Sequence, residues 1–560
     1  MIEQIECVKL DYTFYKGNDC YSDGDIIENR LLDIVRNGEV EEAVSTGNSW
    51  PILYHFSDIR QNLIEWYPFE KEAEVLEIGS GCGAITEVLC RKAKSVTCIE
   101  LSKRRSLINA YRNRKCNNLS IIVGNFKDVK ISKKFDYVTL IGVLEYAPSY
   151  IEGSESYKKM LLAAKRYLKP NGKIIIAIEN KMGLKYWNGA KEDHVGERFA
   201  GIEDYKYISK VRTFSKPELI KILNDCGLKK VNFYYPTPDY KLPDTIYSEK
   251  FMPKRGSLRT WNSNYSETRI ALYNEAIVAD QICDDKVFDY FSNSFLAIVN
   301  EKENNIGFIH YRKLCKKEYQ TKTELINNDR KYLICKSYLN NVSREYDIFR
   351  NMINWYETLQ KENRRITYLV PQIGKNNSSI TYDYIEGNSL EEEVGRLVHN
   401  IPKMIKRLKE IIKKYYGYSS QFEDDFIVTE KYKKVFGEIW VDTPEKSLKV
   451  TNLDMLLQNM VLKDGNVYCF DYEWIFDFPI PYEFVIYRCI TIFYNKYNMY
   501  FSKKLNRVQL LSQVGIKSQN IHTYDAMEKK FQEKIYGKNL EEYYLKQYEQ
   551  SRGMIEIKGI

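Results

Sequence analysis

Long hydrophobic runs are missing from this sequence of 560 residues. Its longest apolar stretches, Val138–Leu144 and Ile174–Ile178, fall far short of the ~20 residues that a membrane-spanning helix needs. The N-terminal stretch carries Glu3, Glu6, Lys9, Asp11 and Lys16 and lacks an apolar core, so no secretory signal is expected. Histidine is scarce, at 5 residues, and the 12 cysteines form no C-x-x-C pair. A zinc site needs ligands clustered at short spacing, and none is seen. Cysteines scattered in this way fit reduced thiols in a cytoplasm. A strong charge imbalance is also absent, because 84 basic against 76 acidic residues leave +8. That is small for the length and does not argue for a nucleic-acid partner, which would show as clustered basic patches. The basic helix Lys103–Arg114 reads as one solvated stripe, and only salt-sensitive RNA binding would revive that class. Low-complexity linkers and internal repeats are missing too. With 44% hydrophobic, 14% aromatic and 29% charged residues, the composition is that of a folded globular chain and excludes disorder.

What is present is enough chain for about three domains, or two large ones. Residues 1–70 are mixed and end in a helical stretch, Ile52–Trp66. Residues 71–255 alternate strand-like and helix-like segments. Residues 256–290 are polar, then helical over Glu267–Ile282, and read as a connector. Residues 291–500 begin with strands and end in helical pattern. Residues 501–560 are rich in Lys, Glu and Tyr and read as a helical tail, with a helix over Tyr524–Tyr536.

The second zone carries the strongest pattern. Strand Glu74–Ile78 runs into Gly79-Ser80-Gly81-Cys82-Gly83-Ala84, and a helix follows through Lys92. Strand Ser95–Ile99 ends at Glu100. Helix Lys103–Arg114, strand Ser120–Val123, strand Phe135–Ile141, helix Ser156–Leu168 and strand Lys173–Ile178 complete the alternation, which predicts a parallel α/β sheet. Right-handed crossovers put the glycine loop at the carboxyl end of the first strand, where such sheets bind ligands. The loop also fits the G-x-G-x-x-A of dinucleotide sites. Glu77 speaks against a dinucleotide, since a carboxylate there would repel a pyrophosphate. S-adenosylmethionine has no phosphate and carries a sulfonium and an ammonium, which a carboxylate favours. Glu100 is placed to accept ribose hydroxyls.

Val75-Leu76-Glu77-Ile78-Gly79-Ser80-Gly81-Cys82-Gly83 resembles the first motif of class I S-adenosylmethionine-dependent methyltransferases. The resemblance covers about residues 50–250 and implies a Rossmann-like, seven-stranded sheet with an antiparallel last strand. It implies that Glu77, Gly79 and Gly81 surround the methionine part and Glu100 the ribose. Asn125 and Phe126 would flank the adenine, and Gly142-Val143-Leu144-Glu145-Tyr146 would lie beside the methionine, with Glu145 in contact. A narrower resemblance, to methyltransferases of bacterial surface-polysaccharide clusters, lies in Trp50-Pro51-Ile52-Leu53-Tyr54-His55 with Arg60. It continues in Glu179–Trp187, Glu192-Asp193-His194 and Tyr235-Pro236-Thr237-Pro238-Asp239-Tyr240.

Methyl transfer is an in-line displacement, so the enzyme must place the acceptor and take a proton from a hydroxyl. His194 with Asp193 beside it suits a general base, and a surface or hydrogen-bonding histidine is the plainer alternative. Arg60 suits the cofactor carboxylate or an exposed helix face. Tyr54, Glu179, Asn180 and Lys181 are candidates for acceptor contacts; for Tyr54 and Trp187, core packing is the commoner role.

In the third zone Asp454-Met455-Leu456-Leu457-Gln458-Asn459 reads D-x-x-x-x-N. Asn459–Leu462 and Val467–Phe470 flank Asp464-Gly465, a hairpin pattern, with Asp471 following. Pairing would bring Asn459 and Asp471 face to face, where with Asp454 they suit Mg²⁺ and a hydroxyl. The pattern resembles the core of protein-kinase-like folds, especially the aminoglycoside-phosphotransferase branch. A bilobal α+β kinase-like domain is then implied, with Asp454 as base, Asn459 and Asp471 as metal ligands, Lys336 on the ATP phosphates and Glu345 as its partner. Tyr384–Leu390 resembles the hinge of that branch. The sequence departs from the family at Asn452, where a histidine is expected, and at Tyr472-Glu473-Trp474. It departs again in the early strands Phe295–Val299 and Ile306–Tyr311, which hold only Gly307. An inactive module that binds a sugar or partner is therefore a rival.

Together these features predict a cytoplasmic methyltransferase acting on oxygen of a sugar or glycan in surface-polysaccharide synthesis. S-adenosylmethionine is the expected cofactor, the kinase-like module would use ATP and Mg, and glycan-assembly enzymes are the expected partners. The rivals are a phosphotransferase whose N-terminal module only senses the cofactor, and a non-catalytic scaffold.

Overall fold

Apolar β-branched residues line the strands that follow and precede the glycine loop, and in the folded chain those strands lie side by side. The computed structural model describes residues 1–17, 24–46, 49–153, 155–206, 211–258, 270–301, 304–328, 331–374, 377–417, 423–441, 443–537 and 555–556. The chain forms two compact units, one of 1–253, 261–309 and 548–560, the other of 254–260 and 310–547. Among the described residues no helix is long and apolar enough to cross a membrane.

The first unit is built on strands β1 (Ile2–Ile5), β2 (Val8–Phe14), β3 (Glu74–Ile78), β4 (Ser95–Glu100), β5 (Leu119–Gly124), β6 (Phe135–Ile141), β7 (Leu168–Glu179), β8 (Val231–Thr237), β9 (Thr245–Ser248) and β10 (Ser294–Val299). Their order in the sheet is β1-β2-β5-β4-β3-β6-β7-β10-β8-β9. Strands β5, β4, β3, β6 and β7 run parallel. Strand β10 is antiparallel to both β7 and β8. That is the Rossmann-like, seven-stranded arrangement with one antiparallel strand, extended at both ends. Strand β2 adds in parallel beyond β5, and β9 pairs with β8. Ile174 to Ile178 are all fully buried, as a strand covered on both faces requires.

Helix α1 (Asp25–Asn37) ends at Gly38, which takes the left-handed conformation at φ 78. It packs through Leu31, Leu32 and Val35 on Ile108 of α2 (Lys103–Arg112), with Ile52, Phe56 and Cys82 in the same cluster. The Ser102 side chain caps α2 by accepting from the Arg105 amide. Helix α3 (Lys216–Asp225) starts with a capping box formed by Ser215 and Glu218. Each such cap satisfies amides that would otherwise lack partners, a contribution of about 1 kcal/mol.

Two sequence boundaries move. The strand Phe295–Val299, expected in the second module, belongs to the first unit together with the connector from residue 270 on, because β10 fills the slot between β7 and β8. The connector helix is seen as Glu275–Asp284; its expected start at Glu267 lies outside the described residues. The expected helix Ile52–Trp66 is broken into Trp50–Phe56, a 3₁₀ turn at Asp58–Gln61 and Asn62–Glu65. Ser57 supplies the break, with its side chain capping the new turn.

The second unit pairs Thr321–Asn328 with Lys331–Tyr338 and that strand with Ser379–Asp383, all antiparallel. Helix Ile348–Glu362 begins on an Asp347 cap. The hairpin Met460–Lys463/Asn466–Cys469 turns at Asp464 and Gly465, with φ 50 and 79, as a two-residue turn of this hand requires. Its register pairs Met460 with Cys469, one residue away from a symmetric Asn459–Asp471 pair. Helices Tyr482–Tyr497 and Ile521–Tyr536 share one core with it, where Phe531 meets Trp474 and Phe476. The tail up to residue 537 is thus part of the packed unit, rather than a separate segment.

Candidate active site

Four strand ends build the main cleft. Gly79, Ser80 and Gly81 follow β3, Glu100 ends β4, Asn125 and Phe126 follow β5, and Gly142, Val143 and Tyr146 follow β6; all line one cavity, with Tyr54, Arg60 and Glu77. Gly79 sits at φ 71, and a Cβ there would stand 2.5 Å from Val143 Cγ2. Only glycine allows both the backbone and the approach. The Gly79 amide donates to Ile99 O at 2.8 Å, and the Gly81 amide donates to Glu100 Oε2 at 2.8 Å. Glu100 Oε1 accepts from the Ser102 amide at 3.0 Å. The second strand's acid and the loop are therefore locked together.

Glu77 is buried, and its Oε2 accepts from Thr86 Oγ1 at 2.6 Å and from Cys98 Sγ at 3.3 Å. Burial pushes its carboxyl up to about 7, against the pull of those two hydrogen bonds. Arg60 is buried, which removes the exposed-helix alternative. Its guanidinium lies 4.0 Å from the Tyr54 ring centroid, and Nη2 donates to Tyr54 Oη at 3.0 Å. Its Nη1 is buried without a hydrogen-bond partner. A cleft with a glycine cradle, an acid at the ribose position and a spare guanidinium nitrogen fits S-adenosylmethionine.

Behind the β6 end lies a charged cluster. Tyr146 Oη is 2.9 Å from His194 Nδ1, and His194 Nε2 is 3.2 Å from Glu179 Oε2. Lys241 Nζ stands 2.6 Å from Glu179 Oε1 and 2.9 Å from Asp193 Oδ1, while Lys185 Nζ is 2.7 Å from Asp193 Oδ2. Burial would push His194 down, but Glu179 wins and raises it to about 9. Burial would raise Glu179, but Lys241 and His194 hold it below the usual carboxylate range. Glu145, whose carboxylate oxygens are buried without hydrogen-bond partners, is raised by burial and by Glu179.

Several sequence expectations change here. The carboxylate on His194 is Glu179, not its neighbour Asp193, which lies part-exposed between two lysines and is held low by them. Glu145 does not line the cleft; it sits under Gly142, where a Cβ would be 3.7 Å from Glu145 Oε1. Glu179 is fully buried behind the cleft wall rather than offered to an acceptor. Asn180 clamps backbone, donating to Tyr290 O and Ser292 O at 2.8 Å each. Lys181 bridges Asp204 and Glu218 at 2.9 and 2.7 Å. Tyr146, Lys185, Tyr240 and Lys241 were not singled out. The stretch from Tyr235 to Tyr240 pointed to their neighbourhood, but only the fold brings it against β7.

The second unit gathers its own cluster. Lys336 Nζ is 2.8 Å from Asp471 Oδ1 and is also paired with Glu473. Arg312 Nη1 meets the other Glu473 oxygen at 2.6 Å. Glu345 is not the partner of Lys336; it is largely exposed and lies 3.4 Å from Lys534. Asp454 Oδ2 accepts from the Glu473 and Trp474 amides, both at 2.9 Å. Burial pushes Asp454 up to about 7, with Arg488 opposing. Asn459 Nδ2 donates to Asp454 O at 3.0 Å and Asp471 O at 3.1 Å. Asp454, Asn459, Asp471 and Lys336 are thus brought together, with Lys336 paired to Asp471 and with Asn459 and Asp454 bonded to backbone groups.

Residues 76–176 match a family described as "Methyltransferase domain". A ubiquinone biosynthesis O-methyltransferase of Rickettsia canadensis (strain McKiel) is 26% identical over 208 residues, which is 36% of this chain and 79% of the relative. A ribosomal RNA small subunit methyltransferase A of Malacoplasma penetrans (strain HF-2) is 22% identical over 165 residues, 29% of this chain and 57% of that relative. Among solved structures, a Haemonchus contortus phosphoethanolamine N-methyltransferase 1, in complex with phosphoethanolamine and S-adenosylhomocysteine, is 14% identical with a TM-score of 0.28. It covers 50% of this chain, and the match spans 51% of that structure.

Proposed function

We propose that the first unit, a class I S-adenosylmethionine-dependent methyltransferase domain, methylates a hydroxyl of a sugar or glycan acceptor. The observation that carries this reading is the hydrogen-bonded line from Tyr146, on the cleft wall, through His194 to Glu179. Bound S-adenosylmethionine supplies an electrophilic methyl group. Gly79 and Gly81 let it lie close to the backbone, Glu100 accepts its ribose hydroxyls, and Arg60 Nη1 takes its carboxylate. Tyr146 Oη would meet the acceptor hydroxyl and orient it, with His194 fixing the phenol from behind. Glu179 holds the imidazole in orientation, and Lys241 holds Glu179.

The choice of oxygen is in keeping with the Rickettsia relative, whose name is that of an O-methyltransferase. The glycan class rests on the resemblance of Trp50–His55, Glu179–Trp187 and Glu192–His194 to surface-polysaccharide methyltransferases. Glycan-assembly enzymes are the partners this reading calls for, and the cytoplasm its setting. The test is transfer of labelled methyl from S-adenosylmethionine to a panel of nucleotide sugars, oligosaccharides and RNA. Label on a sugar oxygen supports the reading, and label on RNA alone sinks it. Tyr146→Phe is expected to lower kcat by about a hundredfold while leaving KM for S-adenosylmethionine unchanged.

The convergence of Lys336, Asp454, Asn459 and Asp471 favours a further reading for the second unit, a kinase-like phosphotransferase module using ATP and Mg. A thermal shift with Mg-ATP supports it, because a ligand that binds only the folded state raises stability. No shift at millimolar Mg-ATP favours the inactive module.

A further inference from the structure

We propose that Glu145, Glu179 and His194 bind one divalent metal ion directly behind the cleft wall of the methyltransferase unit. This deepens the methyl-transfer reading and rests on it for the role of the ion, though not for its binding. Each of the three side chains offers one ligand atom, and these atoms lie within 4.8 Å of one another. Metal ligands on a shared ion stand a little closer than this, so a small inward movement closes the shell. Acidic clusters on a surface are common without an ion, but this one is interior. Glu145 and Glu179 are both 0% exposed.

A second observation is independent of the clustering. Both carboxylate oxygens of Glu145 are buried with no hydrogen-bond partner. A buried carboxylate is ordinarily paired, hydrogen-bonded or on a metal. A third lies in the atoms around the ligands. His194 engages Tyr146 through Nδ1 at 2.9 Å, and its Nε2 meets Glu179 Oε2 at 3.2 Å, a contact that an ion bridging the two atoms would replace. Glu179 engages Lys241 through Oε1 at 2.6 Å, which leaves Oε2. Metal-bound histidines and carboxylates have their remaining atom held in this manner.

Two carboxylate oxygens and one imidazole nitrogen, without thiolate, suit a hard or borderline ion such as Mn²⁺, Fe²⁺ or Zn²⁺. Gly142 and Tyr146 line the cleft, with Glu145 beneath the first and His194 behind the second. The ion would therefore fix Tyr146 through His194, so His194, Glu145 and Glu179 are positioning residues.

The full chain, stripped with chelator, is titrated with Mn²⁺ alone and followed by electron paramagnetic resonance. One bound ion per chain, with nitrogen coupling from a single imidazole, is the expected result. Glu145→Gln is expected to weaken Mn²⁺ binding about 100-fold, and His194→Gln to abolish the nitrogen coupling, while S-adenosylhomocysteine still shifts the melting of both variants. Absence of bound Mn²⁺ in the natural chain, or a bound ion without nitrogen coupling, overturns the site. The coupling in the natural chain decides the matter even where a variant fails to fold. Bound Mn²⁺ without methyl transfer to any sugar would retire the acceptor reading alone; sugar methylation with no bound Mn²⁺ would retire the metal site alone.

Discussion

The two units treat their buried charges in opposite ways. In the first, the cleft and the wall behind it keep polar atoms unspent: Arg60 Nη1 in the cleft and both Glu145 oxygens behind it are buried without a hydrogen-bond partner. In the second, Lys336, Asp471, Glu473 and Arg312 neutralise one another, and the Asp454 carboxylate accepts from two backbone amides. Burying an unpaired polar group costs free energy that only a ligand can return. A self-paired cluster has already recovered it, so a nucleotide entering there must first break what exists. The contrast teaches that convergence of the expected residues is not by itself a binding site.

The harshest way to break the comparison is Gly79→Arg. It forces a side chain into a left-handed position against Val143 and fills the cleft. The melting shift with S-adenosylhomocysteine should vanish altogether; a retained shift would mean that the cleft is not where the cofactor lies. Next comes Glu473→Ala, which leaves the buried Lys336 with Asp471 alone and the half-buried Arg312 without its acid. A loss of about 3–5 kcal/mol is expected in denaturant unfolding of the second unit, with the first unit's S-adenosylhomocysteine shift unchanged. An unaltered midpoint would show that the cluster is not self-supporting.

A smaller effect follows pH. The folded Glu77 carboxyl is raised to about 7 by burial, from an ordinary 4.5. The folded state therefore holds a proton that the unfolded state releases, so this contribution is fully present below about 4.5 and is lost as pH rises through about 7. On the order of 2–3 kcal/mol is involved, and Glu77→Gln should flatten the stability profile over that window. Binding of the cationic cofactor should show the reverse trend, tightening about tenfold from pH 6 to pH 8. Affinity that is flat across that range would remove Glu77 from the site. The gentlest test is Lys181→Met, which breaks a half-exposed bridge to Asp204 and Glu218. A loss of about 1 kcal/mol or less is expected, with KM for the acceptor unmoved; a large rise in KM would return Lys181 to the acceptor site.

Short-range features were legible. The strand Glu74–Ile78, the loop at Gly79–Gly83 and the strands through Ile178 appear where the alternation puts them, because hydrophobic period, cap and glycine are properties of neighbouring residues. The hairpin around Asp464-Gly465 was legible for the same reason, though its register was not, since pairing depends on where within the turn the chain reverses. The cleft was legible where Gly79, Glu100, Asn125 and Phe126 end or follow a strand, but Glu145, expected there, lies behind its wall. The site was misread on the acceptor side. Sequence adjacency suggested Asp193 for His194 and Glu345 for Lys336, whereas Glu179 and Glu473 hold those places.

By itself, then, the amino-acid order determined the α/β alternation, the glycine loop and the acids Glu77 and Glu100 at the ends of β3 and β4, since local backbone preference and side-chain period are enough for these. Tertiary structure decided what distant segments must supply. Strand Ser294–Val299 crosses from beyond the connector to fill the gap beside β7. Lys241 arrives from the far side of β8 to hold Glu179, and Glu145 is shut beneath Gly142 with both carboxyl oxygens lacking a hydrogen-bond partner. The physical reason is that a buried charge is answered by whichever group the packed chain brings within about 3–4 Å, and sequence spacing carries no record of that distance.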